Sequence, residues 1–78
     1  MILHDRVLID PNDFGNIHMI ASDDREVFQS WLDSNYPNHV MHRETKFQWF
    51  YDRERWVFYV KVAEGEDHAF EAAVKALA

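Results

Sequence analysis

KFQWFYDRERWVFYVKV, residues 46 to 62, is the most aromatic stretch of the chain, and its reading decides the fold. From His39 to Ala63 apolar and polar residues alternate with a period of two. β-branched and aromatic side chains are dense enough there to prefer strand over helix. The pattern predicts a hairpin turning at Arg53 and Glu54, with Asp52 opposite Arg55. Tyr51 then faces Trp56, Trp49 faces Phe58 and Phe47 faces Val60, all on one side of the sheet. The other side takes Phe50 opposite Val57, Gln48 opposite Tyr59 and Lys46 opposite Lys61, because side chains alternate along a strand. Residues 39 to 44 read either as a separate strand or as the start of a long one.

Outward from this hairpin, Gly65 breaks the second strand, and Glu66 and Asp67 open a helix. Its Phe70, Ala73, Val74 and Leu77 fall at i, i+3, i+4 and i+7. On its flank Glu71 and Lys75 form an i, i+4 pair. In the other direction, Val27, Phe28, Trp31 and Leu32 give a second helix one strongly apolar stripe. Ser22 or Asp23 is its cap, with Glu26 at capping-box spacing from Asp23, and Asn35 and Pro37 end it. Before it, Arg6 to Asp10 and Ile17 to Ala21 read as two short strands around the turn formers of PNDFGN, residues 11 to 16. Two amphipathic helices need a common apolar surface. An antiparallel sheet supplies it, so the expectation is one α+β domain over residues 1 to 78. It is a two-layer sandwich of about four strands in the order ββαββα, with both helices on one face.

Composition narrows the functional classes. The chain carries 14 acidic and 8 basic residues, a net charge of -6. Residues 43 to 62, with five bases and three acids, form the one basic segment. General duplex binding is disfavoured, since phosphates must be neutralised by Lys and Arg. With no cysteine there is neither a disulfide framework nor a thiolate nucleophile, which points to a reducing cytoplasm. MILHDRVLID has no basic leader region, and no apolar run reaches membrane-spanning length, so a soluble, unprocessed protein is expected.

Chemistry-bearing residues are sparse. On a strand, His39 and His42 point to opposite faces, and His4, His18 and His68 show no ligand spacing, so no metal or cofactor is expected. Ser22 reads as a cap, and Ser30 and Ser34 lie on the solvated face of their helix. The acid pairs Asp23 with Asp24 and Glu66 with Asp67 have a structural role in first turns. No nucleophile, base and orienting group come together, and the chain is read as non-catalytic.

The uncovered sheet face is the sharper feature. On the first hairpin Val7, Ile9, Ile17 and Met19 are expected to point inward, leaving Leu8 and Ile20 with Arg6 and His18 outside. Leu8, Ile20, Phe50, Val57 and Tyr59, flanked by Lys46, Gln48 and Lys61, then form an apolar patch with a partly basic rim. Such a patch marks a protein contact. The expectation is a small acidic interaction domain, an inhibitor or adaptor for another protein, with homodimerisation through the same face as a linked reading. Two alternatives stand beside it. Aromatics and Lys on an open sheet stack single-stranded nucleic acid, although RNP-type glycines are missing. The acids of both helices could instead mimic a nucleic-acid backbone and block a basic groove.

Overall fold

In a computed structural model, residues 1 to 10, 15 to 50 and 53 to 77 are described, and they form an α+β fold. The elements are β1 (Ile2–Asp10), β2 (Gly15–Ser22), α1 (Arg25–Asn35), β3 (Val40–Phe50), β4 (Arg53–Lys61) and α2 (Asp67–Lys75). Among the described residues the strands make one antiparallel sheet in the order β1-β2-β4-β3, and β1 and β3 are its edges. The order ββαββα and the single layer of two helices agree with the alternation and the two apolar stripes.

Phe28 and Leu32 of α1, Phe70 and Val74 of α2, and Ile2, Ile20, Phe58 and Val60 of the sheet form one buried cluster, so both helices cover the same face. Each of the three phenylalanines contributes about 1.5 to 3 kcal/mol by leaving water. Trp31 and Tyr36 join the two helices across this core, with ring centroids 6.2 Å and 4.9 Å from Phe70. The α1 cap falls one residue later than expected. Asp24 accepts from the backbone N–H groups of Glu26 (3.0 Å) and Val27 (3.1 Å), while Ser22 Oγ holds the Asp24 backbone. Gly65, between β4 and α2, takes φ +87°, a left-handed conformation that glycine adopts without steric cost.

Register is where the structure departs from the alternation. Trp56 pairs with Lys46, not Tyr51, and Phe50 pairs with Arg53, so Arg53 and Glu54 belong to β4 and do not form the turn. β3 is one long strand that begins at Val40, with irregularities between Met41 and Arg43 and between Phe47 and Phe50. Over residues 43 to 47 the displacement is five positions, an odd number, which exchanges the faces of that part of β3 relative to β4. Glu44 and Lys46 thus lie beside Phe58 and Trp56 on the helix side. The inner face is already filled by Ile2, Ile20, Phe58 and Val60, and β3 sits at its margin, where Arg25 of α1 pairs with Glu44 at 2.9 Å. The inward facing expected for Phe47, Trp49 and Tyr51 concerns side chains outside the described set.

β2 shows the same kind of exchange. Ile20 is opposite Phe58 and His18 opposite Val60, which turns both toward the helices and not to the open face. Phe58 fixes the choice, because Ile20 completes the core beside it.

Candidate functional site

The eight residues expected to form a surface patch separate in space. Ile20 has no exposed surface and belongs to the helix-side core. Lys46 is exposed, but it stands over the Trp56 ring at 5.5 Å and forms an ion pair with Glu54, at the margin of the helix side. Val57 does lie on the open face, between Trp56 and Phe58 in the alternation, yet it too is completely buried. Its position in a central strand explains this: Ala21 flanks it on β2 and Thr45 on β3, and Arg55 and Tyr59 share its face two residues away. Tyr59 and Lys61 are half-buried, and Arg43 covers the Tyr59 ring at 5.5 Å. The side chains of Gln48 and Phe50 lie outside the described set. Leu8 is the one aliphatic residue of the eight with substantial exposure.

Leu8 has company that the alternation did not select. Val7, Leu8 and Ile9 are consecutive on β1 and are 39%, 37% and 79% exposed. The ladder between β2 and β4 runs from Ser22 to His18, while β2 pairs with β1 out to Gly15. The far half of the first hairpin therefore extends beyond the sheet as a two-stranded overhang, and β1 is its outer edge. An edge strand presents backbone N–H and C=O groups ready to pair with another strand, and side chains at its rim decide whether it does. Here that rim is aliphatic over three positions. A run of contiguous exposed β-branched and leucine side chains in a strand was the signal available in the sequence, in VLI at residues 7 to 9.

The near half of β1 is built differently. A bulge at Asp5 interrupts its pairing, and α2 packs against it. Beneath α2, His4 and His18 are buried and joined by a 2.9 Å hydrogen bond between His4 Nε2 and His18 Nδ1. His18 Nε2 donates to Asp67 Oδ1 at 2.7 Å, since a carboxylate oxygen accepts. Neutral His18 then has only Nδ1 to accept with, so His4 donates from Nε2. Glu71 Oε1 lies 3.8 Å from the same His4 nitrogen. Burial, and then the neighbouring His18, push the His4 pKa below its ordinary value, and the hydrogen bond from Lys75 lowers that of Glu71. This cluster ties β1 and β2 to α2. Among the described residues no three His, Cys, Asp or Glu side chains are placed to hold a metal.

Among the described residues a groove lies at the C-terminal end of α1, lined by Tyr36, Pro37, His39, Val62 and Glu66 among others. His39 Nδ1 donates to the Tyr36 carbonyl at 2.7 Å across it, which closes the α1 turn. Among the described residues, no helix is long and apolar enough to cross a membrane. No protein-family model, curated protein or solved structure matches this chain.

Proposed function

We propose that this chain is a non-catalytic protein-binding domain, an adaptor or inhibitor of the reducing cytoplasm. It acts through the overhanging edge of β1 and the open face beside it. The observation that supports this reading is the exposed run Val7, Leu8, Ile9 on an edge strand. Partner strands add to such edges by backbone hydrogen bonding, and alternate side chains supply selectivity. The open face contributes Leu8, Tyr59 and Lys61 at its periphery, in place of a broad central patch.

A photo-reactive residue at Leu8, installed in cells of the source organism, tests the proposal directly. It should yield a discrete covalent adduct with a polypeptide, whereas the same probe at Ser34 on the exposed side of α1 should not. Equal labelling from both positions, or none from Leu8, would remove β1 as the binding surface.

A further inference from the structure

We infer that the buried His4–His18 pair is an acid-sensitive switch: when it takes up a second proton, His4 Nε2 on β1 exchanges His18 Nδ1 on β2 for Glu71 Oε1 on α2. The inference is independent of which surface binds a partner.

Proton positions decide the order of events. Asp67 accepts from His18 Nε2, so the neutral His18 ring has a lone pair only at Nδ1, and His4 Nε2 donates to it at 2.9 Å. The pair and Asp67 thus form one chain of hydrogen bonds from β1 through β2 to α2. His4 Nδ1 is the one ring nitrogen of the pair outside that chain. A first added proton binds there and leaves both hydrogen bonds as they are. His4 is then a cation, and Glu71 faces it with the opposite charge, Oε1 lying 3.8 Å from His4 Nε2. It keeps its partner at this stage, because leaving would strand His18 Nδ1 as a buried acceptor. A second proton has only His18 Nδ1 to bind. The acceptor of the 2.9 Å contact becomes a donor, and two N–H groups meet head to head. Two like charges then share a site where the side chains of His4 and His18 are 2% and 1% exposed. The contact cannot survive that step.

The surroundings name the new acceptor. The charges that bear on His4 are those of His18, Glu71 and Lys75. Asp5, next along β1, holds Arg6, and His68 of α2 is exposed. On the other side of His18, β4 places Val60, and α2 sets the edge of Phe70 against its ring, with centroids 4.9 Å apart. Asp67 is engaged by His18 Nε2. Lys75 donates to Glu71 through Oε2, which leaves Oε1 turned toward His4. A charge-assisted bond at about 2.8 Å needs a movement of about 1 Å. β1 can yield at that point, because the bulge at Asp5 interrupts its ladder with β2 directly after His4. Parting the rings opens His18 Nδ1 to solvent past the partly exposed Glu71. Both protonated rings then rest on carboxylates of α2, His18 on Asp67 and His4 on Glu71. α2 therefore stays docked, and the near half of β1 shifts relative to β2.

Nitrogen-15 NMR of the imidazole rings in the full chain, titrated downward from pH 7.5 with circular dichroism in parallel, tests the switch. At the start a scalar coupling across the N–H···N hydrogen bond should join His4 Nε2 to His18 Nδ1. It should persist while His4 Nδ1 takes up its proton. At lower pH it should vanish as His18 Nδ1 is protonated, with the circular dichroism still that of the folded chain. The backbone amide shifts of Leu3, His4 and Ala21 should move with that loss, while those of Phe28 and Leu32 in α1 stay. Glu71→Gln keeps the size and helix propensity of the side chain but removes the charge that receives His4. In that variant the coupling should disappear only together with the fold. The switch is overturned if the parent shows no coupling at pH 7.5, loses it with the first proton, or keeps it until the chain unfolds. A Glu71→Gln titration identical to that of the parent would remove Glu71 as the second partner and overturn the exchange with it.

Discussion

β1 and β3 are the two outer strands of one sheet, and they solve the problem of an open edge in opposite ways. β3 carries two irregularities, exposed His42 and Arg43, and Lys46 drawn over Trp56. Bulges and charge at an edge discourage further strand pairing. β1 has such protection only in its near half, where the Asp5 bulge and α2 close it off. From Leu8 onward it runs past the last pair of β2 with β4, and Val7, Leu8 and Ile9 are exposed along it. The contrast teaches that the helix-side core ends at His18 and Val60, while beyond it Ile17, opposite Leu8, is the buried residue of the first hairpin.

If that division is right, mutations on either side of it should differ most in stability. Ile20→Ala, within the core, should cost about 2 to 5 kcal/mol, whereas Leu8→Ala on the overhang should stay within about 0.5 kcal/mol for the monomer. Urea unfolding at concentrations below any association separates the two. Equal costs would mean that Leu8 is part of the core and the overhang is no overhang.

The buried histidines anchor the near half, and they make the contrast depend on pH. Asp67→Ala leaves the buried His18 Nε2 donor without its carboxylate and should cost about 1 to 3 kcal/mol. In the folded chain the His4 pKa lies below its ordinary value of 6.5. Between the lowered value and about 6.5 the unfolded chain therefore binds more protons than the folded one. Stability should rise with pH through that window and be lost on acidification. Glu71, its carboxyl also held below the usual range, adds to stability at neutral pH and loses that contribution as pH falls further. His4→Gln should flatten the upper part of the profile. A parent whose unfolding midpoint is level from pH 7 to pH 5 would show that His4 does not carry this coupling.

The smallest effect tests the guarded edge itself. Arg43→Val with Lys46→Val removes two cation–aromatic contacts, at about 0.5 to 1 kcal/mol each. It should also make β3 adhesive, so that light scattering grows with concentration more steeply than for the parent. Unchanged scattering would mean that the irregularities alone protect β3.

Part of this architecture is legible in the sequence. The stripes Val27-Phe28-Trp31-Leu32 and Phe70-Ala73-Val74 have one period each and specify the helices, and of them Phe28, Leu32, Phe70 and Val74 are fully buried while Val27 is exposed. The strand order along the chain followed from the alternating segments between them. The eight-residue patch was a weaker reading, for a reason visible in the residues. In IHMIA, residues 17 to 21, and FQWFY, residues 47 to 51, apolar side chains occupy both parities of the alternation. A period of two then cannot say which face is inside, and a slip by an odd number of residues leaves local propensity unchanged. Nor can sequence spacing show that His4 and His18, fourteen residues apart, meet under Asp67.

By itself, then, the sequence determined the elements, their order and the need for a shared core, because helix and strand periodicity are local properties of the chain. Only the tertiary structure decided the faces of β2 and β3, the burial of Val57, the histidine pair and the exposure of Val7 to Ile9. Each of these depends on which strand lies beside which, and in what register. Contacts between distant residues set that register: Ile20 beside Phe58 to complete the core, and Glu44 beside Arg25 at its margin.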